Sequence, residues 1–256
     1  MIDINCHILP GMGDGSKSLT ETYKMAEIAA QQGITQIIAT PHHENGDDAT
    51  SADNILAAVD YLNSKLIQEG VPLTILPGQV TRVYGEILDG IQSGEVLPLN
   101  KTSEYILIDL PKGHVPSYLT QLQFDMQIAG YKPIIAHPER NQELFDNPDK
   151  LYRMVKNGAL IQITAASLVG KTGKKVQKFV HQMIEANLVH FIASEAQAWN
   201  KRSFFMKEAS DIVRSEYGNA TLHQFIENGQ CVIDNLTIAQ GQPERIKTKK
   251  GFRIFG

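Results

Sequence analysis

Short apolar runs, rich in β-branched residues, recur along the chain, and most of them end on polar or ionisable groups. Ile37-Ile38-Ala39-Thr40 runs into Pro41-His42-His43, and Met1-Ile2-Asp3-Ile4 into Asn5-Cys6-His7. Leu73-Thr74-Ile75-Leu76 leads to Pro77-Gly78-Gln79, Tyr105-Ile106-Leu107-Ile108 to Asp109, and Pro133-Ile134-Ile135-Ala136 to His137-Pro138-Glu139-Arg140. Leu160-Ile161-Gln162-Ile163 meets Thr164, and His190-Phe191-Ile192-Ala193 meets Ser194-Glu195-Ala196-Gln197. Continuous apolar runs of this length bounded by Pro or polar residues read as buried strands. Seven such runs predict a parallel β/α barrel whose chemistry gathers at the strand carboxyl ends.

Between these runs the apolar period lengthens to that of helices. Ser18-Leu19-Thr20-Glu21 is a capping box, followed by an apolar face at Tyr23, Ala26, Ile28, Ala29 and Ala30, with Gly33 as the residue closing the helix. A second face comprises Ile55, Ala58, Val59, Leu62 and Leu66. Further helices are expected over 83–91, 117–129, 148–156, 175–186, 202–215 and 222–227. Regular strand–helix alternation implies parallel pairing with helices outside. No linker or repeat interrupts it, so one α/β domain is expected over 1–256, with a solvated basic tail at 243–256 that could otherwise serve as a docking arm for an acidic partner.

Composition narrows the function classes. A net charge of -4 supplies no global field for nucleic acid. With no charged leader and no apolar run near a membrane-spanning length, the expectation is a cytoplasmic protein with no membrane insertion. Cys6 and Cys231 stand too far apart in sequence for a metal or disulfide spacing, and each reads as a buried small apolar residue.

The candidate chemistry lies at the strand ends. His7, His42, His43 and His137 fall there, accompanied by Asp14, Asp109, Glu139 and Glu195, whereas His114, His181, His190 and His223 read as surface or helix residues. Converging imidazoles and carboxylates suit Mn²⁺, Fe²⁺ or Zn²⁺; the bland alternative is a histidine hydrogen-bonded to a loop carbonyl. No Gly-x-Ser-x-Gly elbow occurs, and no arginine follows Cys6 to hold a phosphate, which disfavours serine and cysteine nucleophiles. Arg140 and Arg202 are the cations suited to phosphate, unless Arg140 pairs with Glu139 or a neighbouring acid and Arg202 is a surface helix residue.

Residues 1–10, with Met1-Ile2-Asp3-Ile4 and Cys6-His7-Ile8-Leu9-Pro10, resemble the bacterial metal-dependent protein-tyrosine phosphatases of the PHP superfamily. Ala39-Thr40-Pro41-His42-His43, Leu76-Pro77-Gly78-Gln79, Tyr105-Ile106-Leu107-Ile108 and Ala136-His137-Pro138-Glu139-Arg140-Asn141 extend the likeness in the same order over nearly the whole chain. The resemblance implies a distorted seven-stranded PHP-type barrel holding three metal ions, and dephosphorylation of a partner tyrosine kinase that controls capsule or exopolysaccharide synthesis. It implies metal ligands at His7, Asp14, His42, Asp109, His137 and Glu195, with Arg140 and Arg202 on the phosphate.

The chain departs from the family's pattern at several ligand positions. Asn5 replaces a histidine, Val80 a metal-bridging glutamate and Gln197 a histidine, while Asp109 and Glu195 exchange one acid for the other. Sorted as the family sorts them, one ion keeps His7 and Glu195, a second His137 and Asp109, and a third Asp14 and His42. About two strong ligands per ion fall short of the usual three. The expectation is Mn²⁺ or another divalent transition metal at reduced occupancy, with hydrolysis weak or lost. The alternative is a regulatory pseudophosphatase that binds a phosphotyrosine protein or kinase tail without turnover. A homo-oligomer is left open.

Overall fold

The computed structural model describes residues 1–43, 50–200 and 202–247. Its strands are β1 (Ile2–Cys6), β2 (Gln36–Ala39), β3 (His42–His43), β4 (Thr74–Pro77), β5 (Val80–Arg82), β6 (Tyr105–Asp109), β7 (Lys132–Ala136), β8 (Leu160–Thr164) and β9 (Phe191–Ala193). The helices are α1 (Leu19–Gln31), α2 (Ala52–Gln68), α3 (Ile87–Ser93), α4 (Leu119–Ile128), α5 (Gln142–Asp146), α6 (Pro148–Lys156), α7 (Ala165–Leu168), α8 (Lys174–Glu185) and α9 (Met206–Ile233). Every ladder is parallel. The strands are ordered β1-β2-β4 in one sheet and β3-β5-β6-β7-β8-β9 in the other.

Each of the seven expected runs carries a strand, but the described residues form two parallel sheets with two additional short strands, β3 and β5. Both additions lie just past a break in a longer run. Pro41 has no N–H to give to a ladder. Gly78 is needed where the chain passes close to its neighbours, since a Cβ there would come within 2.8 Å of Ile38 Cγ2. After each break the pairing resumes, His42 opposite Val80 and His43 opposite Thr81. Next to β9, Glu195 N–H donates to Asn5 carbonyl at 2.8 Å, and His7 N–H donates to Ala196 carbonyl at 2.9 Å.

The capping box forms as expected at one end. Ser18 Oγ accepts from Glu21 N–H at 3.3 Å, while the Glu21 carboxylate accepts from Lys17 N–H at 2.9 Å. Gly33 takes the left-handed conformation after α1. The third helix starts at Ile87 rather than at residue 83, because Val83 N–H donates to Asp109 carbonyl at 3.0 Å and prolongs the β5–β6 pairing. The two helices expected over 202–215 and 222–227 both lie within α9, which is broken between them by a kink at Gly218, where φ 86° and ψ 168° are non-helical. One-turn helices α5 and α7 follow Asn141 and Thr164, whose side chains accept from Leu144 and Ser167 N–H groups.

Two apolar clusters result. The larger lies between helices and strands, and the smaller lies among the strands, built on Ile4, Ile38, Val80, Leu107, Ile134 and Phe191. Ile238 and Val232, from the end of α9 and beyond it, join the smaller cluster. The start of the expected basic tail is largely exposed and makes contacts with the domain. Arg245 pairs with Asp149 and lies over the Tyr152 ring at 4.6 Å, and Glu244 N–H donates to Ala186 carbonyl at 2.8 Å. The rest of that basic stretch, 248–256, lies outside the described residues, as does most of the polar loop expected over 44–50.

Candidate metal and phosphate site

The strand ends open on a cavity of about 710 Å³ lined by Asp14, His42, Asp109, His137, Glu195 and Gln197, with Arg82, Lys112, Arg140 and Arg202 among the remaining walls. Each group arrives by a local device. His42 ends the interrupted second run, and strand alternation then turns His43 to the opposite side. There His43 is buried 3.4 Å from the Glu95 carboxylate and near Tyr84. Asp14 comes from the glycine-rich loop after β1. Gly15 lets that loop close over His7, for a Cβ on it would meet His7 carbonyl oxygen at 2.4 Å. His137 and Glu195 both have positive φ, 35° and 49°, a conformation rare in residues other than glycine and enriched at functional sites.

His7, Asp14 and His42 form the one group of three among the described residues whose ligand atoms all lie within 4.8 Å of one another. His7 Nδ1 is 3.3 Å from the Asp14 carboxylate, and the His7 and His42 rings are 4.9 Å apart. Burial, reinforced by His42, pushes the His7 imidazole down to about 4, so at neutral pH the ring is uncharged and one of its nitrogens offers a lone pair. Both ring nitrogens are buried without a hydrogen-bond partner. Such an orphaned polar group is costly unless a ligand meets it.

On the other wall His137 Nε2 lies 3.7 Å from Asp109 Oδ1 and 3.6 Å from Glu195 Oε1. Proximity therefore puts His7 with Asp14 and His42, and Glu195 with His137 and Asp109, whereas the resemblance assigned His7 and Glu195 to one ion. Arg140 meets both oxygens of Glu195, Nη1 donating to Oε1 at 2.7 Å, and Arg202 Nη2 donates to Oε1 at 3.2 Å. Burial works to raise the Glu195 carboxyl, but His137, Arg140 and Arg202 together hold it below the ordinary glutamate value. The ion-pair alternative for Arg140 is thus realised, on Glu195 rather than Glu139, and Arg202 shares that acid.

The three positions read from the resemblance as substituted ligands are all engaged. Asn5 Nδ2 donates to Gln162 Oε1 at 2.9 Å, and its Oδ1 accepts from Thr40 Oγ at 2.7 Å. Gln197 bridges the walls, Nε2 donating to Asp14 and Oε1 accepting from Arg202. Val80 is buried in the inner apolar cluster. Asp3, wholly buried, accepts from Ser194 N–H at 2.9 Å and from Ser194 Oγ, fixing the residue before Glu195; burial raises its carboxyl to about 6.

Glu139 turns away from the cavity, accepting from Thr164 N–H at 2.9 Å and Thr164 Oγ at 3.1 Å. His190, read as a surface or helix residue, is buried, and its Nδ1 accepts from Ile161 N–H at 3.0 Å. Arg82, Leu110, Pro111, Lys112 and Asn141 line the cavity without having been singled out from the sequence. The strand-end rule would have found those just after Asp109 and Arg140. Arg82 ends β5, a strand too short to show a period.

Comparison with known proteins bears on this geometry. A family model described as "Capsular polysaccharide synthesis, CpsB/CapC" matches residues 1–234. The chain is 44% identical over 255 residues to tyrosine-protein phosphatase YwqE of Bacillus subtilis (strain 168), covering all of both chains. It is 35% identical over 256 residues to CapC of Staphylococcus aureus, again over the whole of both. A solved structure from work on YwqE of Bacillus subtilis and CpsB of Streptococcus pneumoniae, described as unique metal-dependent tyrosine phosphatases, superimposes with a TM-score of 0.94 at 44% identity, covering 97% of this chain and all of the other. With its strand-end cavity and its match over most of its length, the chain belongs to the CpsB/CapC family of capsular polysaccharide synthesis.

Proposed function

We propose that this chain is a metal-dependent phosphotyrosine-protein phosphatase with a weakened hydrolytic step, acting on a phosphorylated tyrosine kinase that controls capsule or exopolysaccharide synthesis. One observation carries the reading: Asp14 and His42, grouped with the buried His7, line a cavity at the strand ends together with Arg140 and Arg202. Relatives named tyrosine-protein phosphatases, alike over the full chain, support it.

The residues present fit one ion. His7 offers buried, unpartnered nitrogens, and Asp14 and His42 complete three ligands. Mn²⁺ or another divalent transition metal bound there would supply an activated water and stabilise charge on the phosphoryl group. The residues do not fit a cluster of three, because Val80 is apolar and Asn5 and Gln197 are spent on Gln162, Thr40, Asp14 and Arg202. The protein's own share is binding. Arg140 and Arg202 offer forked donors to phosphate oxygens, and Leu110, Pro111 and Pro138 give the cavity an apolar lining for a tyrosine ring.

A second reading, a regulatory pseudophosphatase, is favoured by the hold of Glu195 on both guanidinium groups. Turnover of a phosphotyrosine peptide with Mn²⁺, measured beside the metal content of the same sample, separates the two. Slow metal-dependent phosphate release supports the phosphatase. Phosphopeptide binding without release supports the pseudophosphatase, and neither binding nor release rejects both.

The finer architecture belongs to the same proposal. Continuity of β2 with β3 and of β4 with β5, with the bonds joining Asn5 to Glu195 and His7 to Ala196, supports one domain built as a distorted seven-stranded barrel. No helix among the described residues is long and apolar enough to cross a membrane, in keeping with a cytoplasmic phosphatase.

A further inference from the structure

Arg140 and Arg202 are both turned onto Glu195, and Lys112 stands apart from them. Lys112 lines the same cavity from the loop after β6, is exposed, and has no side-chain hydrogen bond or ion pair among the described residues. What separates it from an ordinary surface lysine is the anchorage of its loop. Asn141, itself buried, donates Nδ2 to Pro111 carbonyl at 2.6 Å and to His114 carbonyl at 2.9 Å. Gln142 N–H donates to Lys112 carbonyl at 2.8 Å, and Val115 N–H to the Glu143 carboxylate at 2.7 Å. These bonds bracket the lysine backbone and hold it beside Arg140.

We propose that Lys112 is a specificity residue, selecting phosphotyrosine peptides that carry an acidic side chain next to the phosphotyrosine. The inference rests on the phosphotyrosine reading above and adds a preference to it. Four cationic side chains, Arg82, Lys112, Arg140 and Arg202, face three carboxylates, Asp14, Asp109 and Glu195, around the cavity, so its walls favour an anionic ligand. The buried Glu195 already draws two of those cations together on one wall, where a phosphate would meet them. An exposed lysine on the loop can instead meet the residues that flank the phosphotyrosine. An exposed pair of this kind contributes about two- to five-fold in affinity and weakens with salt.

The test is fluorescence anisotropy of the full chain at low ionic strength with two phosphotyrosine peptides, one flanked by Asp and Glu and the other by Ser and Gln. The unmodified protein should prefer the acidic peptide about two- to five-fold. That ratio should fall to near one in Lys112→Gln and in high salt, and should persist in Lys112→Arg. Equal binding of both peptides by the unmodified protein, or a preference that survives Lys112→Gln, overturns the role of Lys112 while leaving the phosphotyrosine reading standing. Failure to bind either phosphopeptide overturns that reading and the inference together.

Discussion

Val80 lies directly across the parallel ladder from His42, so an apolar side chain sits beside an imidazole of the ligand group. Val80 also packs with Ile4, Ile38 and Leu107, which carries the inner apolar cluster up to the strand ends. An isolated charge is costly in such surroundings. The remaining groups are matched to one another instead: Glu195 to two arginines, Gln197 to Asp14 and Arg202, Asn5 to Thr40 and Gln162.

The first prediction concerns stoichiometry. Titration with Mn²⁺, followed by calorimetry and by metal analysis after desalting, should find about one ion per chain, because a site commonly uses three or so protein ligands and one such group exists among the described residues. His42→Ala should abolish it. Three tightly held ions in the unmodified protein would refute the prediction.

Val80→Glu alone should destabilise the fold. A carboxylate placed there enters an apolar cluster at 1% exposure, which costs roughly 2–5 kcal/mol and drives the group to take up a proton. Denaturant melts should show the loss, and Mn²⁺ should restore part of it if the new carboxylate can share an ion. An unchanged midpoint would mean that Val80 faces a wetter space than its packing implies.

Glu195→Gln separates the two uses of the arginines. Removing the anion releases Arg140 and Arg202 from their shared partner, so a phosphotyrosine peptide should bind more tightly without added metal. Adding Arg140→Ala to that variant should reverse the gain by roughly ten-fold, as expected for losing a charge-assisted donor. Weaker binding in Glu195→Gln would show that the carboxylate orients the guanidinium groups more than it competes for them.

His190 should make stability depend on pH. Burial lowers its imidazole to about 4 in the folded chain, against about 6.5 unfolded. As pH falls through that interval the unfolded chain takes up the proton first, so a contribution of about 3 kcal/mol, fully present above 6.5, is lost by about pH 4. Asp3 acts in the opposite sense. Burial raises its carboxyl to about 6, so the stability it gives at low pH is lost as pH rises from about 4 to about 6. Comparing His190→Asn with the unmodified chain isolates the histidine, since Asn can still accept from Ile161 N–H. Parallel stability–pH curves for the two proteins would contradict the prediction.

The features legible in the sequence were those written locally. Strand runs, the capping box at Ser18 and the glycine stop at Gly33 depend on near neighbours and on fixed periods. The cavity residues were legible because a parallel sheet brings successive strand ends to one edge. What escaped depends on partners distant in sequence. The hold of Arg140 on Glu195 spans 55 residues, and the burial of His190 is fixed by Ile161, 29 residues away. Nothing near Arg245 in sequence announces its contacts with Asp149 and Tyr152. His43 shared the strand-end signal with His42, and only strand alternation separates them.

The last prediction is that hydrolysis can be rebuilt only by changing the substituted positions together. Asn5→His, Val80→Glu, Glu195→Asp and Gln197→His would put back the ligands that the resemblance implies, apart from Asp109, but each single change disturbs a settled contact. Asn5→His gives up bonds to Thr40 and Gln162, and Gln197→His breaks the bridge between Asp14 and Arg202. Glu195→Asp shortens the arm that Arg140 grips. Each alone should therefore yield little or no gain, and the quadruple change should gain far more than the single effects combined, because groups acting on one reaction are not additive. The measurement is Mn²⁺-dependent phosphate release from a phosphotyrosine peptide by the unmodified chain, the four single variants and the quadruple variant, with metal content and melting midpoint taken on the same samples. A quadruple variant that folds and loads metal yet stays inert would place the defect outside these positions. An unmodified chain already as fast as the quadruple variant would show that one ion, held by His7, Asp14 and His42, suffices.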